Sequence, residues 1–174
     1  MAFVLAEAVE ILERTPQVVR ALLWDLSDTW THAKTEPMGW TPFDVVGHLI
    51  HGEETDWMPR LRIVLEYGEA RPFDPFDREA QFKNSKGKTL RELIERFAGL
   101  RVENLKALHG LNLTSAQMKL RGTHPELGSV TAEQLLATWI THDLTHLAQI
   151  SRVMAKRYMT AVGPWKQYIG VLQR

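Results

Sequence analysis

Apolar residues recur along most of this chain at the spacing of a helix rather than a strand. Phe3, Val4, Ala6, Val9, Ile11 and Leu12 predict a helix over residues 3–13. Thr15-Pro16 interrupts that pattern. Proline is accepted in a first turn and not in a helix interior, so a second helix is predicted to begin there and run to about residue 26. Thr41-Pro42-Phe43-Asp44 then reads as an N-cap, a proline at the first helical position and an acid in the first turn. The helix it opens carries Val45, Val46, His48, Leu49 and Ile50 and is predicted to continue towards Tyr67, kinked near Pro59. Capping-box sequences at Thr89-Leu-Arg-Glu92 and Thr131-Ala-Glu-Gln134 open helices to about Leu108 and Tyr158. A short final helix is predicted after Gly163-Pro164.

Four long helices with no strand pattern and no repeat predict an all-α four-helix bundle, a single domain over residues 1–174. The links 68–88 and 110–130 are long for antiparallel neighbours, so one or both are expected to cross the bundle or fold over its end. Composition removes several classes of function. Lys plus Arg and Asp plus Glu each number 21, the net charge is +0, and no dense basic cluster appears, which argues against nucleic acid as a partner. With no cysteine, disulfides, thiolate ligands and a cysteine nucleophile are excluded, and any thiol must arrive as substrate. The first residues lack a signal-peptide pattern and no apolar run approaches membrane-spanning length, so a cytoplasmic protein with no membrane association is expected.

The candidate chemistry lies in three histidines. His142 and His146 are four residues apart on the last long helix, where they leave the same face about one turn, ~6 Å, apart. Leu135, Trp139, His142, His146, Gln149 and Val153 form one inward stripe. On the second arm, Val45, His48, Leu49 and Gly52 form a comparable run, and Gly47 and Gly52 leave room for close approach by a helix or ligand. Two imidazoles on one helix and a third from a facing helix make an open three-ligand site of the catalytic type. His51, three residues after His48, shares enough of that face to be its main rival or an extra ligand. His124, in Thr-His-Pro-Glu-Leu-Gly, is expected in a turn contact or at the mouth of the site, and His32 and His109 at helix ends.

His142-Asp-Leu-Thr-His146 is not the metalloprotease signature His-Glu-x-x-His: Asp143 replaces the general base, and no Asp, Glu or His follows His146. A di-iron carboxylate site is disfavoured because Trp139 and Asp143 occupy the positions that Glu-x-x-His pairs would need. Asp143 lies about 100° around the helix from His142 and is expected to form an ion pair on its flank, with orientation of an imidazole as the alternative.

Trp40-Thr-Pro-Phe-Asp-Val-Val-Gly-His48-Leu, His124-Pro-Glu-Leu-Gly, His142-Asp-Leu-Thr-His146-Leu-Ala-Gln-Ile and Gly163-Pro-Trp165 together resemble the DinB-like (YfiT-type) four-helix-bundle metalloproteins over nearly the whole chain. That resemblance implies an up-down-down-up bundle and a divalent metal, nickel or zinc foremost, on His48, His142 and His146. It also implies a homodimer and a small-molecule substrate, with transfer of a low-molecular-weight thiol among the family's reactions. Metal-dependent hydrolysis of a small amide or ester is the alternative, and a non-catalytic metal-binding stress module the third reading. Trp57, Trp139 and His124 are the expected pocket wall.

Overall fold

The computed structural model describes residues 2–34, 36 and 39–173. The bundle is built from α1 (Leu5–Leu23), a broken second arm of α3 (Pro42–Thr55) and α4 (Trp57–Tyr67), α6 (Leu90–Gly110) and α8 (Ala132–Lys156), with α2 (Asp28–Thr31), α5 (Ala80–Asn84) and α7 (Ser115–Met118) as short helices in the links. Thr41, Thr89 and Thr131 each close a capping box, so three of the four long elements start where their sequences announce it. The expected final helix is a 3₁₀ turn, Gly163–Tyr168.

Helix directions follow from which residues meet. One apolar cluster joins Val9 and Leu12 to Trp57, Leu61 and Val64, to Leu105 and Leu108, and to Leu135 and Trp139. The other joins Val19 and Leu23 to Val45 and Leu49, to Leu93 and Phe97, and to Ile150. The first and last helices therefore run one way and the middle two the other, giving up-down-down-up.

Three expectations are corrected. α1 does not break at Thr15-Pro16 but runs through it. Pro16 has no N–H to give the Leu12 carbonyl one turn back, and the Arg101 guanidinium donates to that carbonyl instead, at 2.7 Å. The second arm breaks rather than kinks, and the break is at Asp56, three residues before Pro59. The proline cannot donate to Thr55 and its ring crowds that carbonyl, so the helix stops before it. The link before α8 holds a two-stranded antiparallel hairpin, β1 (Arg121–His124) with β2 (Gly128–Thr131), in the register Gly122 to Val130.

The link 110–130 folds over one end of the bundle, and the start of the link 68–88 docks on it there before crossing to the far end, where α6 begins. The Phe73 amide donates to the Thr123 carbonyl at 2.9 Å, and Phe73 is buried. Gly122 is needed here: a Cβ would lie 2.7 Å from Val64 Cγ2 and 2.9 Å from the Phe73 ring. On the other side α5 packs against α3, where Gly47 lies directly under Ser85. Among the described residues no helix is long and apolar enough to cross a membrane.

Candidate metal centre

His48 on α3 meets His142 and His146 on α8 inside the bundle. His48 Nε2 lies 3.0 Å from His142 Nε2, which lies 3.1 Å from His146 Nε2. These three side chains form the one group of metal-ligating type found among the described residues, with ligand atoms within 4.8 Å of one another. Ligand nitrogens around a tetrahedral ion at 2.0–2.1 Å stand about 3.3–3.4 Å apart, so the observed spacing needs only a small outward shift. His146 Nδ1–H donates to Gln149 Oε1 at 2.7 Å, which fixes its tautomer and turns the Nε2 lone pair to the cluster. His142 Nε2 then faces two nitrogens with at most one proton to share. Hydrogen bonds alone satisfy this cluster poorly, and the three histidines can hold a metal ion.

Burial keeps the imidazoles in the neutral form that ligation requires. Desolvation, with His146 and His51 adding to it, lowers the pKa of His48 from 6.5 to about 3. Desolvation, reinforced by His146, His48 and Arg101, takes His142 to about 2. His146 is also lowered by burial, against the pull of Gln149 and Asp143.

Trp40 lies parallel to the His146 ring at 6.1 Å and tilts over His48 at 4.7 Å, while Phe76 meets His48 edge-on at 5.3 Å. From this floor a cavity of about 450 Å³ opens between α4, α8 and the two links. Trp57 lines it, as expected. Trp139 does not: it is fully buried behind Trp57, stacked at 5.8 Å. His124 fulfils both expectations at once, lining the cavity while its Nδ1 accepts from the Glu126 and Leu127 amides in the hairpin turn. His51 stays apart from the cluster, packed on Phe76 at 4.7 Å. His32 caps α2 and His109 sits in the last turn of α6.

Sequence reasoning missed the polar layer behind the histidines. Arg101 on α6, 1% exposed, donates to Glu53 Oε1 at 2.7 and 3.1 Å and to both oxygens of Asp143 at 2.7 and 3.0 Å. Trp139 Nε1 donates to Glu53 at 2.9 Å, and Asn104 holds the Glu53 backbone and side chain at 2.9 and 3.0 Å. Asp143 thus forms the expected ion pair, but in the core and not on a flank. Burial works against the charge on Arg101, and Asp143 and Glu53 outweigh it, so its pKa stands above the ordinary value. The available signal was Arg101 itself, a charge in the stripe Ile94, Phe97, Leu105 and Leu108.

The DinB superfamily model matches residues 11–150, and the chain belongs to that superfamily. Its fold is similar to that of YfiT from Bacillus subtilis, described as "a probable metal-dependent hydrolase with an unusual four-helix bundle topology". The TM-score is 0.76 at 22% identity, over 87% of this chain and 86% of that one. At that identity the likeness speaks for the fold. No curated protein matches the chain.

Proposed function

We propose that this chain is a metal-dependent enzyme that holds one divalent ion on His48, His142 and His146 and works on a small molecule in the cavity above them. The observation that carries this is the convergence of three neutral Nε2 atoms at the floor of a walled cavity. An all-imidazole donor set without carboxylate or thiolate suits nickel or zinc. When bound, such an ion supplies Lewis acidity that draws the proton from a thiol or a water and leaves a nucleophile near neutral pH. The chain's own residues do the rest. Gln149 orients the His146 ring, the Arg101 layer holds α8 against α3, and Trp40, Trp57 and Phe76 exclude water around the reacting centre.

The nucleophile we assign first is a low-molecular-weight thiol, which the family resemblance supports and which a chain without cysteine must take from solution. Hydrolysis is the second reading, supported by the description of YfiT. The same resemblance supports a homodimer, which sedimentation of the purified protein tests. The activity test uses cobalt-loaded protein titrated with cysteine and with glutathione. A sulfur-to-metal charge-transfer band, followed by metal-dependent consumption of the thiol with a generic electrophile, is the expected result. Loaded protein whose spectrum no thiol perturbs, but which cleaves a small ester or amide, assigns the site to hydrolysis instead.

A further inference from the structure

Two charged pairs line the cavity outside the histidine cluster and the Arg101 layer: Arg78 with Glu126, 3.9 Å apart and exposed, and Asp56 with Arg60, which is buried. Asp56, at the break between α3 and α4, lines the cavity, and its Oδ1 lies 2.8 Å from Arg60 Nε one turn on. Both side chains are largely buried, at 13% and 8% exposure. Arg60 is anchored further by its Nη2, which donates to the Asp74 carbonyl at 3.2 Å, and by the Phe73 ring 5.4 Å from its guanidinium carbon. Arg60 is therefore held in the wall on three sides. Among the described residues it is the one partner recorded for the Asp56 carboxylate, whose second oxygen is left for whatever enters the cavity.

The rest of the wall is predominantly apolar, with Trp40, Trp57, Phe73, Phe76, Val130 and Leu135. A carboxylate in such a wall is under-solvated, and a hydrogen-bond donor carrying positive charge is the ligand group that relieves it most. We propose that the cavity takes a primary amine on an apolar or aromatic body, its ammonium on Asp56 and its body against the aromatic wall. This names the substrate class of the site described above and rests on that cavity being the active site. Asp56 would then act in binding and selection, with the reacting group of the substrate placed towards the histidines.

The protonation behaviour of the wall agrees. Burial raises the Asp56 carboxyl from 3.8 to about 6, against the opposing pull of Arg60. The other charged or titratable groups sharing the cavity are Arg60, Arg78, His124 and Glu126, with the three cluster histidines at its floor. Burial lowers His124 and all three cluster histidines, so none of these imidazoles mimics a group titrating near 6.

The test compares 1-hexylamine, 1-hexanol and hexanoate as probes of one length, binding to metal-free and zinc-loaded protein by calorimetry and by tryptophan fluorescence. Metal-free protein is the deciding arm, because there an amine has no ion to coordinate. Hexylamine is expected to bind about tenfold tighter than hexanol near neutral pH. Asp56→Asn should remove that preference while leaving hexanol binding unchanged. In the wild type, which needs no variant to fold, the preference should fade as the pH is lowered through about 6. Equal binding of hexylamine and hexanol overturns the proposal, as does tightest binding of hexanoate, which would make Arg60 the reader of an anion. An amine preference that survives Asp56→Asn also overturns it, by placing the ammonium on another group of the cavity, Glu126 or the histidine nitrogens. Zinc content, measured on the same samples, reports separately on the metal site.

Discussion

His146 shows how one side chain is made ready for ligation: its outer nitrogen is tied to Gln149 Oε1, so the inner one is presented without a proton. Gln149→Leu should therefore weaken metal affinity by about 10–100-fold without removing a donor atom. Competition with a chelator of known affinity measures it, and an unchanged affinity would make Gln149 incidental. His51→Ala should leave most of the affinity, since His51 packs on Phe76 and not into the cluster. The same burial sets the response to acid. An unfolded histidine takes up a proton below 6.5, whereas folded His48 and His142 do so only near 3 and 2. Between those limits the unfolded state binds more protons, so the metal-free protein should lose stability steadily as pH falls from about 6.5. Denaturant midpoints across that range should show the slope, and His142→Gln should flatten it. A midpoint that rises on acidification contradicts the burial described here. The inward direction of these histidines was legible from their three-and-four spacing. Gln149 was legible only as a stripe position, because nothing in a sequence says which ring nitrogen a neighbour will occupy.

Each long helix contributes at least one group to the polar layer: the Leu12 carbonyl, Glu53, Arg101 with Asn104, and Asp143 with Trp139. Arg101→Met would leave two carboxylates buried without their cation and should cost about 3–5 kcal/mol in denaturant unfolding. A loss below about 1 kcal/mol would mean that solvent reaches the layer. Capping is the milder test: Thr131→Ala should cost about 0.5–2 kcal/mol, because it frees the Gln134 amide at the start of the helix carrying two of the histidines. Elements opened by such caps were readable because their signals are local. Pro16 misled because the donor that compensates it, Arg101, comes from another helix, a contact with no local signature. The hairpin was missed for a different reason. Arg-Gly-Thr-His and Gly-Ser-Val-Thr carry almost no apolar alternation, and their pairing is secured by the turn and by Gly122 against Phe73.

At the scale of the molecule, the bundle supplies the histidines and the two links supply the cavity wall. Their join is narrow, so Gly122→Ala, which drives a methyl into Val64 and Phe73, should cost about 1–3 kcal/mol and speed hydrogen exchange at the Phe73 amide. Slow exchange there with unchanged stability would show that the join can give way at no cost. That the long links cross the bundle or fold over its end could be expected from their length alone. That they dock on each other could not, because the contact depends on a glycine in one and a phenylalanine in the other, about fifty residues apart. On the proposed function, α3 and α8 are set in this arrangement to bring three imidazoles to one ion. Elemental analysis after loading with nickel or zinc and desalting at neutral pH tests it most directly. About one ion per chain should be retained by the wild type and by His51→Ala, and none by His48→Ala, His142→Ala or His146→Ala. Wild-type protein that retains no ion, or a His48, His142 or His146 variant that keeps it, would show that these three side chains do not form a metal site.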